Sequence, residues 1–208
     1  MPPDALIFDL DGTLWDTCET CAVAWNAEVV RLGIVYRTMT AADVRGVSGQ
    51  PHLQAIRTAF PGLTEADVVR LCDAPAIADN EAVARDGGVL YPGVREHVPE
   101  LARRLPLMIV SNCQRGYIET VLAWSGLAAS FGDFECWGNT GATKAANLGA
   151  VIARNRLRTP LFVGDTEGDR SAADANRVGF VYASYGYGTV DRYDHRIDRF
   201  ADVVALVG

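Results

Sequence analysis

The sequence almost lacks lysine: 18 of its 208 residues are arginine, whereas Lys144 is its single lysine. A chain that uses arginine wherever positive charge is enough predicts a special purpose for that one lysine. Lysine carries a compact ammonium group on a flexible stem, whereas the guanidinium group of arginine is a planar fork. Lys144 is therefore a candidate functional residue.

An excess of positive charge is also missing. The formal net charge is −7, which argues against nucleic-acid binding because the phosphates of nucleic acids require a basic surface. Small anionic substrates are compatible with this charge if a metal ion or local cations offset it. No apolar run reaches the length of a membrane-spanning helix, and the first residues lack the basic start and apolar core of a signal peptide. We therefore expect a cytoplasmic protein without a membrane partner.

Cysteine is scarce as well. The chain has five cysteines, and this odd number is typical of reduced thiols rather than of a disulfide framework. Cys18 and Cys21 have the Cys-x-x-Cys spacing of redox and zinc sites. A zinc site would need a second pair of ligands, and no other pair has the spacing. We expect these two thiols to be buried or half-buried on a helix.

The most informative stretch lies near the start of the chain. An apolar run, Ala5-Leu6-Ile7-Phe8, predicts a short buried strand, and the carboxylates of Asp9 and Asp11 follow it directly, before Gly12. Two carboxylates this close repel each other unless a cation lies between them or one carries a proton. The pattern therefore indicates a divalent metal, a proton-transfer role, or both, although an ordinary Asp-Gly turn also fits this stretch taken alone.

The rest of the chain divides into two patterns. Residues 17–88 carry helical signals without a convincing strand, which predicts an all-α insertion. The predicted helices there cover 22–32, a start at Thr40 with a capping-box pattern, 50–60, a start at Thr64, and 76–85. From Val89 onward, strands and helices alternate, which predicts a parallel sheet covered by helices on both faces. The predicted strands are 107–110, 131–136, 161–163 and 180–182, and the predicted helices are 91–104, 114–124, 144–155 and 170–176.

Polar clusters follow these predicted strands. Ser111 and Asn112 come after the strand at 107–110, and the loop after 161–163 carries Asp165 and Asp169. Because the carboxyl ends of parallel strands lie at one edge of a sheet, these side chains can form a single site.

Four motifs in this order resemble those of the haloacid dehalogenase superfamily: Phe8 to Leu14, Val110-Ser111-Asn112, Lys144, and Gly164-Asp165 with Asp169. More narrowly, they resemble its phosphatases with a helical cap inserted after the first motif, such as the phosphoglycolate phosphatase-like group. The resemblance covers the whole chain. It implies an α/β fold with a Rossmann-like core of residues 1–16 and 89–208 around a central parallel sheet, and an α-helical cap of residues 17–88.

The resemblance implies a Mg²⁺-dependent reaction in two steps. Asp9 would attack phosphorus to give an aspartyl-phosphate, and Asp11 would protonate the leaving oxygen and later activate water. Asp9, the backbone carbonyl of Asp11, and Asp165 would hold the Mg²⁺, and Asp169 would be a further ligand, direct or through water.

The remaining motif residues are implied to bind the phosphate. Ser111, together with backbone N–H groups near Asn112, would hold the phosphoryl oxygens, and Lys144 would bridge Asp9 and the phosphate. One departure is Cys113, which stands where the motif often continues with glycine. This turn is therefore less free to adopt a positive φ.

Several related activities are alternatives. The dehalogenases lack the second acid, which Asp11 supplies here, and the phosphonate hydrolases use a cap lysine, which this chain lacks. The β-phosphoglucomutase-like enzymes carry a similar cap loop, here Arg45 to Ser48, but also a histidine where this chain has Cys21. A phosphosugar mutase is thus a minority hypothesis. A non-catalytic phosphate-binding regulator is another, against which the presence of both Asp9 and Asp11 argues.

Substrate choice is expected to depend on the cap. Arg45, Gln50 and His52 form a polar cluster around Gly46 and Gly49 and are candidate specificity residues, although a surface-loop role also fits each of them. The expected partner is a small phosphorylated metabolite, and the expected assembly is a monomer or small homo-oligomer.

Overall fold

A computed structural model describes residues 2–207, with side chains for residues 2–72 and 78–207. Among these residues the strands are β1 (Leu6–Phe8), β2 (Trp15–Asp16), β3 (Val89–Leu90), β4 (Leu107–Ser111), β5 (Asp133–Cys136), β6 (Leu161–Gly164), β7 (Gly179–Ala183) and β8 (His195–Ile197). The α-helices are α1 (Cys18–Arg31), α2 (Ala41–Arg45), α3 (His52–Ala59), α4 (Glu65–Asp86), α5 (Val94–Ala102), α6 (Tyr117–Ser125), α7 (Trp137–Thr140), α8 (Lys144–Arg154) and α9 (Glu167–Asn176). Two 3₁₀ helices cover Ala128–Ser130 and Phe200–Val207.

The central sheet confirms the predicted α/β class. Within the described chain it has six parallel strands in the order β5-β4-β1-β6-β7-β8. Strand β1 lies in the middle, and its side chains are buried on both faces: Leu6 and Phe8 pack into one hydrophobic cluster and Ile7 into the opposite one. A strand covered on both sides needs an unbroken apolar run, which is what its sequence has.

The register of the sheet brings the polar clusters to one edge. Phe8 pairs with Ile109 of β4 and with Val163 of β6, so the three strands end at nearly the same level. The residues that follow β1, β4 and β6 therefore meet at the carboxyl edge of the sheet, where ligands bind in folds of this kind.

Helices α1–α4 form a separate hydrophobic cluster, in which Trp25 and Phe60 are in ring contact at 5.9 Å between centroids. The predicted capping box is confirmed, because Thr40 and Asp43 exchange hydrogen bonds at the start of α2. Helix α1 begins at Cys18, earlier than predicted, and the Asp16 carboxylate accepts the Cys18 N–H at 2.8 Å. The two helices predicted after Thr64 are one continuous helix, α4, which packs along α1. The thiols of Cys18 and Cys21 are free and buried on α1, as expected.

A short antiparallel ribbon joins these helices to the sheet. In it, Trp15 of β2 pairs with Leu90 of β3, and Asp16 pairs with Val89. The boundaries predicted for the cap, residues 17 and 88, lie just inside this ribbon, and the division into two domains stays a prediction. Strand β8 was not expected from the sequence, because His195 and Arg196 are exposed at the edge of the sheet and make no apolar pattern.

No helix within residues 2–207 combines the length and the apolar character that crossing a bilayer requires.

Candidate active site

Three buried carboxylates converge at the carboxyl edge of the sheet. One oxygen from each of Asp9, Asp165 and Asp169 lies within 4.8 Å of the others. Two hydrogen bonds hold Asp165 in place: the Thr13 hydroxyl donates to Oδ1 at 3.2 Å, and the Tyr187 N–H donates to Oδ2 at 2.7 Å. Carboxylate oxygens in such an arrangement can hold a hard divalent cation.

The turn after β1 makes this approach sterically possible. Gly12 has a φ of +86°, and a Cβ atom at this position would lie 2.8 Å from Asp165 Cγ. A side chain here would therefore meet both an unfavourable backbone conformation and a collision with a carboxylate. The Asp-Gly sequence is needed because the loop after β6 passes directly against the turn.

Asp169 is fixed by the start of helix α9. Thr166 is the N-cap residue and Asp169 closes a capping box, so Asp169 Oδ2 accepts the backbone N–H of Thr166 at 3.0 Å and its hydroxyl at 2.6 Å. The N–H of Asp165 also donates to Asp169 Oδ2, at 3.2 Å. Asp169 Oδ1 is left to face Lys144.

Lys144 lies between two of the carboxylates. It is the first residue of α8, is 5% exposed, and places Nζ 2.7 Å from Asp169 Oδ1 and 2.9 Å from Asp9 Oδ1. Burial favours the neutral amine, but the charges of Asp169 and Asp9 raise the pKa of Lys144, so its ammonium form persists. The lone lysine of the chain is thus a buried, charged bridge between Asp9 and Asp169.

The cluster has more negative charge than Lys144 can balance. Burial, followed by the charge of Asp169, raises the pKa of Asp9 well above its usual value. The same two causes raise the pKa of Asp165 to about 7. Three carboxylates face one ammonium group, so a divalent cation fits both the charge and the oxygen ligands of this site.

The Asp11 side chain makes different contacts. Its Oδ1 accepts hydrogen bonds from Tyr117 Oη at 2.8 Å, Trp15 Nε1 at 3.1 Å and Thr17 Oγ1 at 3.3 Å. Burial raises the pKa of Asp11 to about 6, and these three donors oppose the rise. A carboxyl group with a pKa near neutrality can both give and take a proton. No motif revealed Tyr117, since its role depends on the start of α6 lying beside the β1 turn, where its hydroxyl also contacts the Thr17 hydroxyl at 2.7 Å.

Ser111 and Asn112 follow β4 on the same edge. Ser111 is buried and its hydroxyl accepts the Cys113 N–H at 3.3 Å, within a turn beside Asp9. Asn112 Nδ2 donates to the carbonyl of Gly49 at 2.7 Å, which links the sheet to the loop after α2. The Oδ1 atom of Asn112 is buried without a hydrogen-bond partner.

A cavity of about 80 Å³ lies between this edge and helices α1–α4. Of the three residues predicted to set specificity, Gln50 and His52 line it, whereas Arg45 does not. Arg45 instead pairs with Asp16 at 2.7 Å, and its guanidinium lies 5.4 Å from the centre of the Tyr187 ring. Trp25 and Asp79, which no sequence motif indicated as site residues, also line the cavity, as does Cys21, which stands where the mutases carry a histidine.

Residues 6–183 match the sequence model of the family described as haloacid dehalogenase-like hydrolase. The chain is 30% identical over 198 residues to a phosphoglycolate phosphatase of Pseudomonas putida, with 89% of this chain and 71% of the relative covered. It is also 30% identical over 213 residues to a phosphoglycolate phosphatase of Rhodobacter capsulatus, with 98% of this chain and 95% of the relative covered.

Solved structures share the fold. A crystal structure described as a predicted phosphoglycolate phosphatase from Haemophilus somnus superposes with a TM-score of 0.86 at 22% identity, covering 99% of this chain and 98% of that one.

Proposed function

Because the chain belongs to the haloacid dehalogenase-like hydrolase family, we propose that it is a phosphatase that hydrolyses phosphate monoesters of small metabolites. The observation that supports this proposal most is the convergence of Asp9, Asp165, Asp169 and Lys144. These groups come from distant parts of the sequence, and their repulsion makes the arrangement costly unless a ligand offsets it.

Mg²⁺ fits the site as its metal. We propose that Asp9, Asp165 and the backbone carbonyl of Asp11 hold it. Asp169 already accepts four hydrogen bonds, one from Lys144 and three from residues 165 and 166, so its main part is to hold Lys144 and the loop. When bound, the ion supplies positive charge that lets an anionic carboxylate approach an anionic phosphate.

The side chains around the cavity divide the chemistry between them. Asp9 Oδ forms a bond to phosphorus as the bond from phosphorus to the ester oxygen breaks, which gives an aspartyl-phosphate. Asp11 donates its proton to the departing alkoxide, which leaves as an alcohol. It then accepts a proton from the water that attacks the aspartyl-phosphate, and inorganic phosphate and free Asp9 are restored. Lys144 orients Asp9 throughout.

The phosphate itself is proposed to lie beside β4. The Ser111 hydroxyl and the backbone N–H groups near Asn112 would donate to the phosphoryl oxygens. Asn112 donates a hydrogen bond from Nδ2 to the Gly49 carbonyl, so it lies where the turn meets the opposite wall of the cavity. Its Oδ1 atom is buried there without a hydrogen-bond partner.

We propose that residues 17–88 act as a cap that encloses the leaving group. Gln50 and His52 line the cavity and are candidates for contact with it. Arg45, which pairs with Asp16 of the β2–β3 ribbon, is better placed to hold the cap against this ribbon than to touch substrate. Closure of such a cap would exclude bulk water from the site.

The proposal is tested by phosphate release from p-nitrophenyl phosphate. We expect turnover by the wild-type protein with Mg²⁺, its loss in EDTA, and a decrease of about 10³-fold or more in kcat for Asp9→Asn. Asp191→Asn, which removes an exposed carboxylate that is not part of the converging group, is the control and should keep wild-type turnover. Undiminished turnover by Asp9→Asn would refute the mechanism, and phosphate binding without any turnover would indicate the regulator instead.

A further inference from the structure

A buried carboxyl group on helix α4 has no part in the chemistry described above. Asp79 is 3% exposed and lines the cavity on the side of the helices. Its Oδ2 accepts the indole N–H of Trp25 at 3.2 Å, whereas its Oδ1 is buried without a hydrogen-bond partner. Leaving a buried acceptor unsatisfied costs about 1–3 kcal/mol, so a ligand that supplies a donor would recover this cost.

The surroundings of Asp79 offer it no cation. Neither lysine nor arginine is found among the described residues that line the cavity. Burial raises the pKa of Asp79 to about 7, and the charge of Asp11 adds to the rise, while the indole of Trp25 and the nearby thiol of Cys21, which is only a weak donor, partly oppose it. Buried acids with a structural role are normally paired with a cation, whereas buried acids without one are found more often at functional sites.

The position of Asp79 separates two ends of the cavity. Asp9, Asp11 and Ser111 lie at the end formed by the sheet, where the phosphate is proposed to bind, and Asp79 lies on the wall formed by the helices. A substrate whose phosphate lies at Asp9 therefore directs its leaving group toward the helices. Trp25 holds one oxygen of Asp79 and leaves the other as an acceptor on this wall.

We propose that Asp79 is a specificity-determining residue that accepts a hydrogen bond from a hydroxyl or ammonium group of the leaving alcohol and disfavours leaving groups that carry a carboxylate. The inference rests on the phosphatase function proposed above and narrows its substrate class. When Asp79 is ionised, it and a substrate carboxylate close together in a poorly solvated cavity repel strongly, and the described lining residues contain no lysine or arginine to pair with the substrate carboxylate. Phosphoglycolate carries such a carboxylate, so this chain is expected to prefer other esters.

Four esters of nearly equal size test the wild-type protein at about pH 8.5, where the Asp79 carboxyl group, with a pKa of about 7, is ionised. They are 2-hydroxyethyl phosphate, phosphoethanolamine, phosphoglycolate and n-propyl phosphate, which differ only in the group at the far end. We expect kcat/KM for at least one of the first two to exceed that for phosphoglycolate and for n-propyl phosphate by about 10-fold or more. The ranking of the first two shows whether the hydroxyl or the ammonium group is the preferred donor.

The variant Asp79→Asn tests the residue itself, since it keeps the shape of the side chain and removes its charge. We expect the kcat/KM of phosphoglycolate relative to the preferred donor ester to rise by about 10-fold in this variant. Glu81→Gln removes an exposed carboxylate from the same helix and should leave the ratio unchanged. If Asp79→Asn does not fold, the wild-type ranking of the four esters still tests the proposed preference for a donor group over a carboxylate.

The outcomes separate this inference from the one on which it rests. Phosphoglycolate or n-propyl phosphate as the best of the four esters, or an unchanged ratio in folded Asp79→Asn, would overturn the role of Asp79 while the phosphatase function stands. Failure to hydrolyse any ester, p-nitrophenyl phosphate included, would overturn the phosphatase function and this inference with it.

Discussion

At the scale of single residues, the buried carboxyl group of Asp79 makes the free energy of unfolding depend on pH. Its carboxyl group has a pKa of about 7 in the folded chain, against an ordinary value of 3.8. Between these two values the unfolded chain has lost the proton and the folded chain keeps it. The free energy of unfolding therefore falls as pH rises from about 4 to 7, by up to about 4 kcal/mol from this residue.

Asp79→Asn removes this dependence because an amide does not titrate. Relative to the wild type, we expect the variant to gain about 2–3 kcal/mol in its free energy of unfolding between pH 5 and pH 8. Urea unfolding of both proteins at the two pH values measures this gain. Buried acids that do not interact with Asp79 titrate equally in both proteins and cancel in the comparison, and Glu81→Gln should show no such gain. If the free energies of unfolding of the variant and the wild type differ by the same amount at pH 5 and pH 8, the raised pKa of Asp79 is contradicted.

At the scale of elements, the turn after β1 has little tolerance for change at Gly12. Gly12 and Gly62 both have a φ near +90°, but only Gly12 has a neighbour within 4 Å, the carboxylate of Asp165. Alanine at either position meets the same unfavourable backbone conformation, which costs about 1–2 kcal/mol. The difference between the two substitutions therefore reports the contact with Asp165 alone.

We expect Gly12→Ala to lower kcat for p-nitrophenyl phosphate by about 100-fold or more, because Asp165 must move out of the carboxylate cluster. Gly62→Ala, in the loop before α4, should lose a similar amount of backbone stability and keep its activity. Activity assays paired with thermal unfolding of both variants make the comparison. Equal activity in the two variants would show that the Asp165 position does not depend on the glycine.

Strands and helices with clear apolar patterns were predictable from the sequence. The runs at Leu6–Phe8, Leu107–Ser111 and Leu161–Gly164 are buried strands because each is covered on both faces. The β2–β3 ribbon and strand β8 were not predictable, since each is two or three residues long and is formed by pairing rather than by its own sequence. The continuity of α4 likewise depends on packing along α1.

At the scale of the whole molecule, repulsion within the carboxylate cluster opposes folding until a cation offsets it. A ligand that binds only the folded chain, at 100 times its dissociation constant, adds about 2.7 kcal/mol to the free energy of unfolding. For a chain of this length, that corresponds to a rise in Tm of roughly 5–10 °C. The Asp9–Asp165–Asp169 cluster is the expected source of this stabilisation.

Thermal unfolding with saturating Mg²⁺ and with EDTA should show this rise in the wild-type protein. Asp165→Asn should lose most of it, because the variant removes one of the proposed oxygen ligands, whereas Asp191→Asn should keep it. The readout does not depend on activity, so it tests the metal site apart from the reaction. If Mg²⁺ leaves the Tm of the wild-type protein unchanged, the proposal that the carboxylate cluster binds Mg²⁺ is contradicted.

The sequence by itself determined the order of the strands and helices with clear apolar patterns, the parallel sheet and the motif residues at its edge, because apolar periodicity and strand-end chemistry are local properties of the chain. Only the tertiary structure decided which side chains meet. It brought Lys144 between Asp9 and Asp169, Tyr117 to Asp11, and Asp79 into the cavity, while it turned Arg45 toward Asp16. These contacts join residues that are dozens of positions apart, and their geometry depends on how helices pack against the sheet rather than on any local pattern.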